Sequence, residues 1–364
     1  MHTTLETIEF LDRLELVGRV STKHVSLPIL ECVLLEAKGN TLSIRATNLE
    51  IGIEVSVVAR NIAEGVVAVP ASTLMQVINL HTQKDVTLRI EGTVLVVEGG
   101  GSNTKIKTVS HDEFPTIAKL AGEGQVINGS LFALGVRTTA FSASQSSIKP
   151  ELGSVHIHQK KEHTLTFVAT DSFRLMEKTV PQKGVVLESS ILIPFKNALE
   201  LARVCDHNSN DPVCRIDENQ CSLEFIDGVY ITSRLTVGSF PDYEQIIPKE
   251  YALEVTVLKD DLIHAFKKSN VFLNKFFQVR LSMSGDALTV SADSGEVGTT
   301  TESIKAQVVG DELTLNFNQR YVAEALSHFV DDSITLRFAG IGRPMVIVGV
   351  SDNSIRYLVM PMNK

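Results

Sequence analysis

The sequence repeats itself at an interval as long as a domain. Three predicted strands end in a similar motif, "TLSIRATN", "TLTFVATD" and "ALTVSADS". When the triads "ATN", "ATD" and "SAD" are aligned, their first residues are Ala46, Ala169 and Ser291, which stand 123 and then 122 residues apart. The units of solenoid proteins are about 20 to 50 residues long, so this period excludes a solenoid and predicts three similar domains.

Each copy has the same order of predicted elements. About 24 residues after the triad, a β-type run passes into a helical one, at Pro70, Pro194 and Asn316. Proline at a first helical position and asparagine as a cap both favour a helix start. Two alternating strands follow, a pattern typical of hairpins. Each copy opens with a helical segment, at residues 4–20, 129–144 and 258–273. The fold class is therefore predicted to be α+β, with three domains at residues 1–124, 125–249 and 250–364.

The composition is that of a folded protein without membrane spans. Of the 364 residues, 43% are hydrophobic and 21% are charged, and the apolar runs are too short to cross a bilayer. The first helical segment has Leu5, Ile8, Leu11, Leu14 and Val17 on one face, with acidic residues between them. This pattern is typical of an amphipathic helix and not of a signal peptide, so we expect a cytoplasmic protein.

The residues that often bind metals or cofactors form no recognisable signature. The four cysteines are irregularly spaced and include no C-x-x-C pair. His156 and His158 can share one face of a strand, but without a third ligand nearby a solvated strand is the better interpretation. The stretch "GGGSNTK" at 99–105 lacks the spacing of a phosphate-binding loop and is interpreted as a hairpin turn. We therefore predict no metal, no cofactor and no catalytic residues.

The aspartate of the second triad raises the main alternative. Asp171 aligns with Asn48 and Asp293, and Asn or Asp at a strand end can accept hydrogen bonds from the backbone two residues later. The threefold occurrence favours a turn-forming role over acid–base chemistry. The competing hypothesis is a β-rich hydrolase or sugar-modifying enzyme in which Asp171 and Asp293 share a pocket.

Five motifs carry a resemblance to a known family. They are "LPIL" at 27–30, "ATDSFRL" at 169–175, "SFPDYEQIIP" at 239–248, "FNQRYV" at 317–322 and "YLVMPMNK" at 357–364. In these motifs, over its whole length, the sequence resembles the bacterial sliding clamp, the beta subunit of DNA polymerase III. The resemblance implies three clamp domains, each with two helices packed on antiparallel sheets. It also implies a head-to-tail ring dimer around duplex DNA that acts as a non-catalytic processivity factor.

A net charge of −9 is compatible with that reading, because an acidic exterior can coexist with a basic inner face. The resemblance and the basic residues of the predicted helices give the DNA-contact candidates Lys23, His24, Arg137, Ser146, Lys149, Lys196, Arg203, Lys267, Lys268 and Arg320. His24 stands where the family often has arginine, which weakens that contact at neutral pH. For any single lysine, a solvated helix face explains the sequence equally well.

The resemblance also implies a peptide cleft between repeats two and three. It would bind the tails of the polymerase alpha subunit, the clamp-loader delta subunit and other clamp-binding proteins. Its implied residues are Leu152, Thr170, Ser172, Phe173, Arg174, Leu175, Pro241, Gln245, Ile246, Phe276, Asn318, Tyr321, Met345, Leu358, Val359, Met360, Pro361 and Met362. Ser172 and Phe173 replace the usual glycine and histidine, and Asn363–Lys364 replaces the commoner Arg–Leu ending. Without the resemblance, Leu358 and Val359 would be assigned to an ordinary edge strand.

The subunit seam of the implied ring has three candidate residues. Ile106 is expected on an edge strand of repeat one, facing Phe272 and Leu273 of repeat three in the other subunit. An exposed strand edge invites pairing across subunits, and a twofold ring makes both seams equivalent. For Phe272, packing in the core of its own domain is an equally good explanation.

Overall fold

The fold was analysed in a computed structural model, which describes residues 1–21 and 26–362. The elements of repeat one are β1 (His2–Glu6), α1 (Thr7–Gly18), β2 (Cys32–Lys38), β3 (Thr41–Thr47), β4 (Ile51–Val58), β5 (Arg60–Ala63), β6 (Gly65–Pro70), α2 (Ala71–Asn79), β7 (Asp85–Glu91), β8 (Val94–Gly99) and β9 (Ser102–Lys107). Those of repeat two are β10 (Gln125–Val126), α3 (Gly129–Thr139), β11 (Ser154–His158), β12 (Thr164–Thr170), β13 (Arg174–Pro181), β14 (Ile191–Pro194), α4 (Phe195–His207), β15 (Val213–Ile216), β16 (Gln220–Glu224) and β17 (Tyr230–Arg234).

Repeat three closes the chain with the same alternation of helices and strands. Its elements are β18 (Leu253–Leu258), α5 (Lys259–Ser269), β19 (Gln278–Ser284), β20 (Ala287–Ser294), β21 (Gly298–Gly310), β22 (Leu313–Asn318), α6 (Gln319–Leu326), β23 (Ser333–Phe338), β24 (Met345–Gly349) and β25 (Ile355–Val359). Short 3-10 helices occur at Pro28–Glu31, Ala140–Ser142, Tyr243–Ile246 and Asn270–Phe272. The α+β prediction is thus confirmed, with two α-helices in each repeat.

The described residues form two compact units that divide repeat two between them. One unit contains Met1–Ala133 and Lys196–Leu235, and the other contains Leu134–Phe195 and Thr236–Lys364. The first has a five-stranded sheet, β5-β1-β7-β8-β9, and an eight-stranded sheet, β10-β15-β16-β17-β4-β3-β2-β6. The second has a twelve-stranded sheet, β14-β11-β12-β13-β25-β24-β23-β18-β21-β20-β19-β22. The domain boundaries at 124/125 and 249/250 stay a prediction.

Antiparallel pairing continues each large sheet from one repeat into the next. In the first unit β17 pairs with β4, with Ile231 opposite Ile53. In the second unit β13 pairs with β25, with Leu175 opposite Leu358. Leu358 and Val359 therefore lie in an interior strand between β13 and β24, and their assignment to an edge strand is wrong.

The helices cover the sheets with an apolar face. In the second unit Leu262 and Phe266 of α5 pack with Phe317 and Phe338 in one buried cluster. Each such side chain contributes about 1.5–3 kcal/mol when it leaves water. Among residues 1–21 and 26–362, no helix is both long and apolar enough to span a bilayer.

Three local predictions need correction and two are confirmed. Residues 2–6 form β1, which pairs with β5 and β7, so the first helix begins at Thr7 and not at residue 4. Pro70 and Pro194 precede α2 and α4 and are not their first residues. The cap of α6 is Asn318, whose Oδ1 accepts from the Arg320 amide at 3.0 Å, and not Asn316. The hairpins at β7–β8 and β23–β24 are confirmed, as is the "GGGSNTK" turn between β8 and β9.

Candidate functional site

The turn after β12 is fixed by Asp171 in the manner that the sequence predicted. Asp171 Oδ1 accepts hydrogen bonds from the amides of Phe173 and Arg174, both at 3.0 Å. Thr170 Oγ1 donates to the Arg174 carbonyl at 2.6 Å and accepts from the Ser172 amide at 3.1 Å. Ser172 adopts φ of 76°, a left-handed conformation in which glycine has no steric cost. Glycine would therefore adopt this conformation with less strain than Ser172 does.

Repeat one builds the same turn, and repeat three does not. Asn48 Oδ1 accepts from the amides of Glu50 and Ile51 at 3.0 and 2.9 Å, and Leu49 has φ of 75°. Asp293 instead lies inside β20, opposite Thr299 of β21, and the strand continues to Ser294. The predicted turn at Asp293 is therefore wrong, because the strand runs past the aligned position before it turns.

Arg174 links this turn to the third repeat. Its Nε donates to Asp171 Oδ2 at 3.0 Å, its Nη1 donates to Glu324 of α6, and its Nη2 donates to the Phe141 carbonyl at 3.0 Å. The guanidinium carbon also lies 4.5 Å from the centre of the Tyr321 ring. The polar atoms of Arg174 are thus engaged within the chain, and the residue forms a rigid wall. Sequence reasoning missed Phe141 and Glu324, which no motif marks.

Several predicted cleft residues are buried, on both faces of the twelve-stranded sheet. Leu175 and Leu358 pack with Val168, Tyr243 and Val346 in one cluster. The other buried members of the predicted set are Leu152, Thr170, Met345 and Val359. Met345 and Val359 belong to the cluster that contains Phe266 and Phe317, on the opposite face of the sheet from Leu175 and Leu358. We call Leu175 and Leu358 the floor, and the place of the buried residues in a cleft stays a prediction.

Four predicted cleft residues expose apolar side chains. Phe173 is 61% exposed, Phe276 57%, Ile246 51% and Met360 38%. The Met360 amide donates to the Phe173 carbonyl at 2.8 Å, which places the chain end beside the Thr170–Arg174 turn. The Met362 amide donates to the Asn316 carbonyl at 2.8 Å, so the end of the described chain runs along β22. Exposed apolar groups of this size are typical of binding surfaces.

The remaining cleft candidates differ in exposure. Pro241, Gln245 and Ser172 are exposed, whereas Asn318, Tyr321, Pro361 and Met362 are half-buried. Gln245 donates to Asp242 at 2.8 Å, next to the 3-10 helix Tyr243–Ile246. A backbone hydrogen bond joins Phe173 to Met360, and a ring contact joins Arg174 to Tyr321, whereas the place of Ile246 and Phe276 in the cleft stays a prediction. Asn363 and Lys364 lie outside the described residues.

Most of the predicted DNA-contact residues are exposed on or beside helices. The exposed ones are Arg137, Ser146, Lys149, Lys196, Lys267, Lys268 and Arg320. Lys268 pairs with Glu302 at 2.8 Å, and the Arg320 guanidinium lies 3.4 Å from the centre of the Phe277 ring. Lys23 and His24 lie outside the described residues.

Arg203 has a structural role that the sequence did not indicate. Its Nε donates to Glu200 at 2.7 Å and its Nη2 donates to the Leu16 carbonyl at 2.8 Å. The half-buried guanidinium thereby ties α4 to the last turn of α1. Arg203 thus links two helices, and its contact with DNA stays a prediction.

Helix α1 and the residue before it expose four acidic side chains. Glu6, Glu9, Asp12 and Glu15 are all exposed there. A phosphate backbone is repelled by such a face, so any attraction to DNA depends on the other helices.

The seam candidates lie on elements with free edges or partial burial. β9 ends the five-stranded sheet, as predicted, but the Ile106 side chain is only 5% exposed. Ile106 is therefore available to a partner through the backbone of its strand and not through its side chain. Phe272 and Leu273 are half-buried. Phe272 is therefore partly packed within its own domain, as the alternative explanation expected, and partly accessible to a partner.

Comparison with known proteins identifies the family. Models of the N-terminal, central and C-terminal domains of the DNA polymerase III beta subunit match residues 1–118, 126–242 and 244–363. The beta sliding clamp of Synechococcus elongatus is 28% identical over 360 residues, covering 96% of each chain. That of Pseudomonas aeruginosa is 28% identical over 374 residues, covering 100% of each chain.

The solved structures agree with the sequence relatives. The crystal structure of the DNA polymerase III beta subunit from Thermotoga maritima superposes with a TM-score of 0.94, at 26% identity and with 100% of both chains covered. The hydrolase alternative built on Asp171 and Asp293 is set aside, because the whole chain is accounted for by this family. The chain belongs to the DNA polymerase III beta subunit family, the non-catalytic sliding clamps that act as processivity factors in DNA replication.

Proposed function

We propose that two copies of this chain close a ring around duplex DNA, and that the second unit of each copy binds the tails of replication proteins. The polymerase alpha subunit and the clamp-loader delta subunit are the partners that we expect. The observation that carries the cleft is the rigid Thr170–Arg174 turn, which holds the exposed Phe173 against Met360.

The cleft suits a short apolar peptide. Its floor is buried and fully packed, so it does not have to reorganise when a peptide arrives. Its rim presents Phe173, Ile246 and Met360, whose apolar surface leaves water on binding. Each of these side chains, once fully covered, would contribute about 1.5–3 kcal/mol. Methionine adapts to differently shaped partners, which fits a site that serves several proteins.

The matching position between repeats one and two is built differently, because Glu50 of the Asn48 turn stands where the Asp171 turn has Phe173. The Phe195 amide donates to Gly153 O at 3.0 Å and the Gln319 amide donates to Phe277 O at 2.8 Å, which aligns the starts of α4 and α6. Two residues later, α4 has Asn197 where α6 has Tyr321. Asn197 is buried and donates to Ser233 Oγ at 3.0 Å, and also to the Glu50 carbonyl. This hydrogen-bonded junction supports a single peptide cleft in each chain.

We infer that DNA is retained by enclosure and not by tight contact. Only six Lys and Arg residues among the described DNA-contact candidates are exposed, and the exposed face of α1 is acidic. Affinity for duplex DNA depends on the number of phosphates that Lys and Arg neutralise, so weak binding is expected. A ring tolerates weak contact, since topology alone prevents escape.

Two free strand edges support the head-to-tail seam. β9 is hydrogen-bonded only to β8 among the described strands. β21 pairs with β20 over residues 298–305 and with β18 over 306–310, which leaves one edge of its first half open within the described part of the chain. Pairing of β9 with this half of β21 would extend two sheets into one and cover both edges. Phe272 and Leu273 lie next to α5 in the same repeat and are candidates for the flanking contacts.

The test of the cleft is peptide binding measured by fluorescence anisotropy with labelled tail peptides of the alpha and delta subunits. Phe173→Ala should weaken binding about tenfold or more, because 1.4 kcal/mol corresponds to a factor of ten. The matched control is Ile226→Ala, which removes an 87% exposed side chain in the other unit and should change nothing. Equal affinity of the Phe173→Ala variant and the wild type would refute this cleft.

The test of the ring uses light scattering and DNA retention. The expected mass is twice the 39.8 kDa of one chain. The dimer should remain on closed circular DNA after loading and should be lost when the DNA is linearised. A monomer, or equal retention on both DNA forms, would contradict the ring.

A further inference from the structure

A stack of four rings holds the segment 240–247 against β11. The rings of Phe240 and His156 lie parallel, 4.6 Å apart and at 1°, and His156 stacks on His158 at 4.8 Å. The Tyr243 ring meets His158 edge-on at 6.1 Å. We call segment 240–247 the connector and these four rings the latch. The two histidines are therefore not on a solvated strand, and that prediction is wrong.

The hydrogen bonds of the latch fix where one proton lies. Tyr243 has a single hydroxyl hydrogen, and it donates to Glu177 Oε2 at 2.5 Å. His158 Nε2 lies 3.1 Å from the same hydroxyl oxygen, so this nitrogen must be the donor in that bond. The burial of Glu177 alone would raise its pKa, but the hydrogen bonds from Lys160 and Tyr243 lower the pKa on balance. Glu177 is thus a carboxylate that accepts, and the chain of donors runs from His158 through Tyr243 to Glu177.

The surroundings of His156 favour its neutral form. Its Nδ1 is buried and has no hydrogen-bond partner among the residues that the structure describes. A proton on Nδ1 would create a buried N–H without an acceptor, which is costly. Burial, with His158 and Lys160 nearby, lowers the pKa of His156 to about 4, and burial together with Lys160 lowers the pKa of His158.

The charged groups around the latch belong to four elements. Lys160, in the loop after β11, lies 2.7 Å from Glu177 of β13 and 2.8 Å from Glu244 of the connector. Arg356 of β25 lies 3.7 Å from Glu177. Lys160 and Arg356 pair with Glu177. Glu177 and Glu244 favour the charged form of His158, but burial and Lys160 outweigh them and lower the pKa of His158.

We propose that His156 and His158 are positioning residues, and that they stabilise the docked connector most strongly when both imidazoles are neutral. Acidification then releases the connector, which carries Gln245 and Ile246. The consequence for peptide binding rests on the proposed function of the cleft, whereas the release itself does not.

The direction of the effect follows from linkage. The pKa of His156 is about 4 in the latch and 6.5 when exposed, so release takes up a proton. The latch has its full stability above pH 6.5 and loses stability as the pH falls from there towards 4. Relative to pH 7.5, His156 alone raises the release equilibrium roughly tenfold at pH 5.5 and roughly thirtyfold at pH 5.0.

Hydrogen–deuterium exchange measures this release directly. After correction for the intrinsic exchange rate, the opening constant of connector amides should rise about tenfold from pH 7.5 to 5.5 in the wild-type protein. In the double variant His156→Phe/His158→Gln, which keeps the stack and the donor to Tyr243 but cannot titrate, it should stay constant. His264→Gln, an exposed histidine on α5, is the control and should behave as wild type. A flat wild-type profile, or the same rise in the double variant, overturns the proposal.

A second measurement does not depend on the double variant. The chain contains no tryptophan, so Phe240→Trp introduces a single reporter into the stack. In urea, its emission should shift to longer wavelength at a lower urea concentration at pH 5.5 than at pH 7.5, as the ring enters water. A midpoint of this shift that is the same at both pH values would contradict the proposal.

Peptide anisotropy at pH 7.5 separates the two proposals. Absence of binding at pH 7.5 counts against the cleft, and the exchange result still decides the latch. Where binding is present, saturating peptide should slow connector exchange at pH 5.5 in the wild type. Exchange that is unaffected by bound peptide would break the link between the latch and the cleft.

Discussion

Replacement of Asp171 tests whether this residue acts as a turn-former. Asp171→Ala removes the acceptor of two amide hydrogen bonds and the partner of Arg174 Nε. The Asp171 and Arg174 side chains are only 15% and 11% exposed, so solvent screens their pair less than a surface pair. A hydrogen bond to a charged acceptor is worth about 1.5–3 kcal/mol, and some of this returns because the turn can hydrate after the change. We expect a loss of about 3 kcal/mol in the free energy of unfolding.

The matched variants divide this loss into its parts. Asp171→Asn keeps an oxygen for both amides and loses only the ion pair, so the expected cost is about 1 kcal/mol. Asn48→Ala removes the equivalent two bonds from a neutral acceptor, for an expected cost of about 2 kcal/mol. Since Asn48 and Asp171 belong to different compact units, each variant should shift the step in which its own unit unfolds.

Urea unfolding followed by far-ultraviolet circular dichroism at pH 7.5 is the measurement, with peptide anisotropy as a second readout. Asp171→Ala should weaken peptide binding as well, because Phe173 loses its fixed position, whereas Asn48→Ala should not. Equal destabilisation by Asp171→Asn and Asp171→Ala would refute the turn-forming role. So would an Asp171→Ala variant within about 0.5 kcal/mol of the wild type, since the two lost bonds exceed that.

Two further predictions concern conformation and charge. Ser172→Gly should raise the free energy of unfolding by about 0.5 kcal/mol in urea, since φ of 76° strains serine but not glycine; a lower stability would contradict this. Lys267→Ala should reduce the magnitude of the slope of log affinity for a short linear duplex against log salt concentration by about 1. The control Lys38→Ala, at an exposed position on the β2–β3 hairpin, should leave the slope unchanged. Equal slopes in the wild type and both variants would remove Lys267 from the DNA contacts.

The parts of the fold that were predicted depend on short-range chemistry. The turns at Asn48 and Asp171 follow from a side chain that bonds amides two and three residues later, which a sequence motif encodes directly. The hairpins follow from alternation and turn residues in the same way. The wrong prediction at Asp293 is also local in origin. Strand β20 runs one or two residues further than predicted, so Asp293 lies inside the strand and the turn comes after it.

The parts that were missed depend on partners far along the chain. His156 and His158 alternate as an exposed strand would, and only the segment 240–247 that covers them makes them buried. The interior position of Leu358 depends on β13, and the engagement of Arg174 depends on Phe141 and Glu324. For the predicted cleft, the family motifs name candidate residues, but burial of Leu175 and exposure of Phe173 depend on packing that the motifs do not encode.

The long-range pairing of β4 with β17 has a consequence for synthesis of the chain. Ile53 of β4 cannot pair until Ile231 of β17 has been synthesised, and Leu175 of β13 cannot pair until Leu358 of β25 has been synthesised. At 5–20 residues per second, the ribosome needs roughly 10–40 s to make either stretch. During each interval a strand edge made early is open to nascent chains nearby, so the protein passes through two periods in which chaperones have most to protect.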